Sequence, residues 1–141
     1  METMNCLPNP YLQSVSLTVG FMVKIKADLH FICGKNPELV VDFCMGIEED
    51  SDIAFHFRVC PKSLVVLNSF QDGEWQEEQR IFSDHFMPGR PFELRFLVLE
   101  NEYQVLVDNK SSYHFVHRLP VQSVKMLKVR GDIVLTSVDT F

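Results

Sequence analysis

The residues best equipped for chemistry sit in two short stretches. The run Ile53-Ala54-Phe55-His56-Phe57-Arg58-Val59-Cys60 alternates in the period-two manner of a strand. Ile53, Phe55, Phe57 and Val59 are expected to face a core. Ala54, His56, Arg58 and Cys60 then face the other way, ~6.6 Å apart along the strand. An imidazole and a guanidinium are thereby presented together on a solvent-facing sheet. The next apolar run, Leu64-Val65-Val66-Leu67-Asn68, ends in an amide. Past the Asp72-Gly73 turn come Trp75, then Glu78 and Arg80, which alternate onto one face. The chain's one Trp is thus bracketed by His, Asn, Glu and Arg. An indole face covers an apolar C–H patch while polar groups of these types grip hydroxyls, the combination that holds a pyranose ring.

Other candidate constellations are weaker. Glu74, Glu77 and Glu78 invite comparison with a glycosidase acid/base pair, but their short spacing on one turn argues against catalysis. His114 and His117 would lie on opposite faces of a strand, so no metal site is expected there. Arg130-Gly131-Asp132 spells an integrin-type tripeptide and reads more simply as a tight turn into the Ile133 strand. Cys6, Cys33, Cys44 and Cys60 show no metal-ligand spacing and fit free thiols of a cytosolic protein. Asn109-Lys110-Ser111 matches a glycosylation acceptor, which a chain outside the secretory route would leave bare.

The net charge of −6 is concentrated in residues 48–52, read as a solvated loop, and in residues 74–78. The thirteen Lys and Arg are dispersed, which argues against nucleic acid or an anionic membrane as partner. The first residues offer no basic and apolar signal regions, so synthesis in the cytosol is expected. No run approaches the ~18 apolar residues of a membrane span.

Period-two alternation dominates the remaining chain. It runs through residues 15–19, 23–26, 41–43, 92–96, 103–107, 113–117, 124–129 and 133–138. Turn signals separate these runs: Gly34-Lys35-Asn36-Pro37, Gln71-Asp72-Gly73, Met87-Pro88-Gly89-Arg90, Asp108-Asn109 and Arg130-Gly131-Asp132. Their spacing of roughly ten residues predicts an all-β sandwich or jelly roll rather than βαβ units. Only Leu119-Pro120-Val121-Gln122-Ser123 has room for a helical turn. Residues 1–141 read as one domain, with a structured core over about residues 10–139.

The segments Phe55-His56-Phe57, Val65-Val66-Leu67-Asn68-Ser69 and Asp72-Gly73-Glu74-Trp75-Gln76-Glu77-Glu78-Gln79-Arg80 resemble the galectin signature. That signature reads His-x-Asn-x-Arg, then Val-x-Asn, then Trp-Gly-x-Glu-x-Arg. Leu17-Thr18-Val19-Gly20, Phe92-Glu93-Leu94, Phe115-Val116-His117-Arg118-Leu119 and Gly131-Asp132-Ile133 also fall in the galectin order. The resemblance implies a two-sheet jelly roll of roughly eleven strands. It further implies recognition of β-galactoside glycans on glycoproteins or glycolipids, no metal or other cofactor, and no enzymatic activity. Assembly as a homodimer, and residence in cytoplasm or nucleus with export that bypasses a signal peptide, follow from the same source. By this resemblance His56 donates to the axial hydroxyl of galactose and Asn68 bonds the ring's outer hydroxyl. Trp75 stacks on the apolar face, Glu78 accepts from the second sugar, and Arg80 holds Glu78 by a charge-assisted pair. His117 and Arg118 read as structural.

Two positions depart from the signature: Arg58 stands in place of Asn, and Cys60 in place of Arg. The Arg of the signature supplies a fork of donors, which a thiol cannot replace. Each lost charged hydrogen bond costs about 1.5–3 kcal/mol, so weakened lactose binding is expected. Arg58, on the same predicted face as His56, is the candidate substitute cation. Gln76 replaces a Gly and would crowd the groove rim. The rival expectation is a galectin-fold interaction or self-association protein with a degraded sugar site.

Overall fold

The computed structural model describes residues 6–30, 37–60, 64–82, 86 and 89–141. Cys33 and the turn signals at Gly34-Lys35-Asn36 and Met87-Pro88 lie outside the described residues. In chain order the strands are β1 Tyr11–Ser14, β2 Met22–Leu29, β3 Leu39–Cys44, β4 Ile53–Cys60, β5 Leu64–Gln71 and β6 Glu74–Trp75. They continue with β7 Gln79–Phe82, β8 Phe92–Val98, β9 Glu102–Val107, β10 Lys110–Val116, β11 Met126–Gly131 and β12 Ile133–Thr140. Among the described residues a single 3-10 turn, Val121–Ser123, occupies the short link where the sequence left room for one.

The strands form two antiparallel sheets packed as a sandwich, in agreement with the all-β expectation. One runs β1-β11-β3-β4-β5-β6, with β7 also paired to β5, and the other β10-β9-β8-β2-β12. Their facing sides interdigitate as the alternation requires, because every second residue of a strand points to the same face. Aromatic rings fill the centre. Phe55 stacks on Phe115 at 4.7 Å and on Tyr103 at 4.8 Å, while Phe57 meets Phe96 edge-on at 5.3 Å. Burial of the Tyr103 phenol raises its pKa.

Two local readings of the sequence need correction. Ile53 was expected in the core and Ala54 on the open face, but Ala54 belongs to the core and Ile53 faces outward. A bulge causes the exchange: the register of β4 with both β3 and β5 shifts between Ile53 and His56. One extra residue in a ladder reverses the facing of everything before it. Residues 15–18 join no ladder and Val19 opens a turn with Gly20; Leu17 reaches the core while Val19 lies exposed. The strand pairing near this end is made instead by Tyr11–Ser14 along β11. Its weak alternation reflects an edge strand whose Leu12 is left facing solvent.

Candidate functional site

Antiparallel register sorts the outward residues of the larger sheet into rows that cross the strands. One row is Arg130, Val40, Arg58, Val66 and Arg80. The next is Lys128, Asp42, His56 and Asn68. The third is Met126, Cys44, Ile53, Phe70 and Trp75. Over the first two rows lies a groove of about 350 Å³, lined by Glu38, Val40, His56, Arg58, Val66, Asn68, Trp75, Glu78 and Arg130. Of the six residues singled out in the sequence, five line this groove and Arg80 stands beside Glu78.

Trp75 is held by a hairpin. Asp72 and Gly73 adopt φ of 53° and 79°, the left-handed pair that a two-residue turn between twisted strands requires. The chain therefore reverses tightly, and Trp75 pairs with Phe70 of β5. Phe70 supports the indole edge-on at 5.0 Å, and the His56 ring lies 4.5 Å away. Supported on these sides, Trp75 still leaves 51% of its surface open. An open indole face of this kind can cover apolar C–H groups.

His56 points away from the core yet is only 7% exposed, because Trp75 and Asp42 cover it. Asp42, itself 4% exposed, brings Oδ1 to 2.5 Å from His56 Nδ1. A carboxylate can only accept, so the Nδ1 proton is directed at Asp42. In the neutral ring Nε2 then carries a lone pair and accepts a hydroxyl proton; only the imidazolium donates there.

Asn68 is equally constrained. Its Oδ1 accepts from the Ser69 N–H at 2.8 Å and from Arg118 Nη1 at 3.1 Å. Its Nδ2 donates to the Gln76 carbonyl at 3.0 Å. An amide nitrogen has two protons, which leaves one N–H for a ligand. Arg118 organises this corner: it also donates to Ser69 Oγ at 3.1 Å and the Glu77 carbonyl at 2.6 Å, and lies over the Phe115 ring. The structural role read for Arg118 is thus made specific.

The charged flank is looser. Arg58 directs Nε and Nη2 to Glu38 Oε2 at 3.0 and 2.9 Å. Arg80 Nε donates to Glu78 Oε1, the pair expected from the sequence. The Cys60 thiol is pushed above its ordinary pKa, first by burial, with Arg58 opposing. It therefore stays protonated at neutral pH and offers only a weak donor. Gln76 folds back: its Nε2 donates to the Gln71 and Glu74 carbonyls at 3.3 and 3.0 Å, and it does not line the groove. The anticipated crowding of the rim is not found.

Sequence reasoning missed Asp42, Glu38 and Arg130. Asp42 left one signal, a lone acid between the strand residues Val41 and Phe43, but its cross-strand partner depends on register. Arg130-Gly131-Asp132 closes β11 and turns into β12. A Cβ on Gly131 would meet the Glu38 carbonyl at 2.2 Å, and the Glu38 N–H donates to Asp132 Oδ2 at 3.1 Å. The tripeptide is fastened to the sheet margin, with Arg130 in the groove wall.

Residues 10–140 match the galactoside-binding lectin family model. The chain belongs to this family, the galectins, whose members are lectins rather than enzymes. Among its relatives are human galectin-16, 44% identical over 135 residues with 96% of this chain and 95% of the relative covered. Human galactoside-binding soluble lectin 13 is also 44% identical, covering 96% and 97%. Sheep galectin-11 in complex with glycerol superposes with a TM-score of 0.92 at 64% identity, covering 96% of this chain and 99% of that one.

Proposed function

We propose that this groove binds β-galactoside glycans on glycoproteins or glycolipids, with lactose affinity below that given by the full galectin signature. The observation that supports it best is the corner of Trp75, His56 and Asn68. Each is held by neighbours so that one platform, one imidazole nitrogen and one amide donor converge on the same volume. Galactose fits them through its apolar face, its axial hydroxyl at His56 Nε2 and its outer hydroxyl at Asn68. Glu78, steadied by Arg80, accepts from the second sugar. Arg58 keeps Nη1 for the ligand while Glu38 holds its other edge. No strong donor stands at Cys60, which weakens the second-sugar contact. Isothermal titration with lactose tests the reading: weak saturable binding that disappears in Trp75→Ala supports it. Absence of binding to lactose and to every galactose-terminated glycan on an array would sink it.

The second reading is a galectin-fold self-association or interaction protein. Cys60 and the engagement of Arg58 by Glu38 favour it, since both deplete the donors available to sugar. A blank glycan array together with a stable assembly would establish it. A homodimer is part of the first reading as well, because two grooves per assembly raise avidity without new contacts. Sedimentation analysis reads that state directly. Residence in cytoplasm or nucleus with export that bypasses a signal peptide is proposed on family resemblance, and fractionation of expressing cells tests it.

A further inference from the structure

One buried charged contact lies behind the groove rather than in it. Asp42 on β3 and His56 on β4 are register partners, and the carboxylate meets Nδ1 with both side chains less than a tenth exposed. Among the described residues Asp42 is the only hydrogen-bond partner of the ring. Trp75 covers the ring from β6 at 4.5 Å. The other groups around it are uncharged Asn68 from β5, Arg58 on its own strand and held by Glu38, and Lys128 of β11, one strand beyond Asp42. The charged groups of the groove lining are Glu38, Arg58, Glu78 and Arg130. Asp42 is not among them; it opens into a separate hollow of about 320 Å³ with Cys44, Met126 and Lys128. Its carboxylate can therefore act on a ligand in the groove only through the imidazole.

We propose that Asp42 is a positioning residue that sets the polarity of the groove's contact with the axial hydroxyl: the sugar must donate a proton while His56 is neutral, and acceptor-only groups are admitted once His56 is protonated. The inference rests on the galactoside reading above and names the group that governs its selectivity. An unconstrained imidazole carries its single proton mainly on Nε2 and would donate to the sugar. The carboxylate overrides that preference, because it can only accept. With the proton on Nε2, the Nδ1 lone pair would face a carboxylate oxygen at 2.5 Å, two buried acceptors with no proton between them. The proton therefore stays on Nδ1, and Nε2 presents a lone pair to the groove. A hydroxyl satisfies that lone pair; a fluorine in the same place repels it. When the ring takes a second proton, Nδ1–H keeps its bond to Asp42, now between two charges, and Nε2 becomes a donor. The hydroxyl then turns round and accepts, so it serves both states, whereas fluorine serves only the second.

The test is titration of the full chain with lactose and 4′-deoxy-4′-fluorolactose at about pH 8 and about pH 5, on either side of the range in which imidazoles ordinarily exchange a proton. Nitrogen chemical shifts of the isotopically labelled His56 ring report which nitrogen is protonated in each condition. At the higher pH the proton is expected on Nδ1, and lactose is expected to bind roughly tenfold more tightly than the fluoro sugar. At the lower pH both nitrogens are expected to be protonated, and the preference to shrink to about two- to threefold. In Asp42→Ala the neutral ring is expected to move its proton to Nε2 and to show the smaller preference already at the higher pH. The ratio of the two ligands cancels general damage to the groove, thermal melts establish that the variant is folded, and the wild-type arms stand without it. A neutral wild-type ring protonated on Nε2 overturns the proposal. A lactose preference that is absent, that does not change with pH, or that survives intact in folded Asp42→Ala overturns it alone and leaves the galactoside reading in place. Failure of both ligands at both pH values overturns the galactoside reading, and this inference with it.

Discussion

The two flanks of the groove are built on different principles. Around Trp75, polar groups are buried and held by hydrogen bonds: His56 by Asp42, and Asn68 by Ser69, Gln76 and Arg118. On the flank of Arg58, Glu78 and Arg80, charges are exposed and paired one to one. A buried donor left without its partner costs its full desolvation, whereas an exposed ion pair contributes about 0–1 kcal/mol. On the proposed reading, the pre-organised residues are expected to dominate ligand affinity and the exposed pairs to tune it. The departures Arg58 and Cys60 both fall on the tuning flank.

The contrast can be broken by substitution. Trp75→Ala removes the platform and is expected to abolish retention on a lactosyl matrix, a loss of roughly a hundredfold or more. Arg118→Ala, at a residue that does not line the groove, is expected to cost about 1–3 kcal/mol in thermal or urea unfolding and to weaken binding with it, because Asn68 loses a partner. Rescue by Arg118→Lys should be incomplete, since a single ammonium cannot span Ser69 and the Glu77 carbonyl together. Cys60→Arg is expected to tighten lactose binding by roughly tenfold, the gain of a charged hydrogen bond. Titration without such a gain would show that Arg58 and Glu38 already fill the position. Arg58→Ala is expected to lose only about two- to threefold, with no measurable change in melting, as befits an exposed pair. A larger loss would move Arg58 to the pre-organised class and erase the contrast.

Much of this was readable in the chain. The alternation through β4 and β5 fixes which side chains share a face, and the Asp72-Gly73 dipeptide locates the hairpin that presents Trp75. Those are local signals. Asp42 beneath His56 was not legible, because cross-strand neighbours are set by register between segments far apart in sequence. The exchange of Ile53 and Ala54 was hidden likewise: a bulge is a property of two paired strands, and one strand's pattern does not record it. Gln76 illustrates a third limit. Its size suggested crowding, but a flexible amide beside a turn finds carbonyls to bind, and those carbonyls are backbone groups with no sequence signature.

Trp75 is the chain's only indole, against three tyrosines, and it lies in the groove, half open to water beside an imidazole. Emission excited at the red edge, where phenols do not absorb, therefore comes from the groove alone. On the proposed reading, a sugar settling on the ring is expected to displace water and alter its contact with His56, which would give the protein its own optical gauge of occupancy. Affinity, exchange rate and competition between glycans can be followed from that emission without attaching a dye.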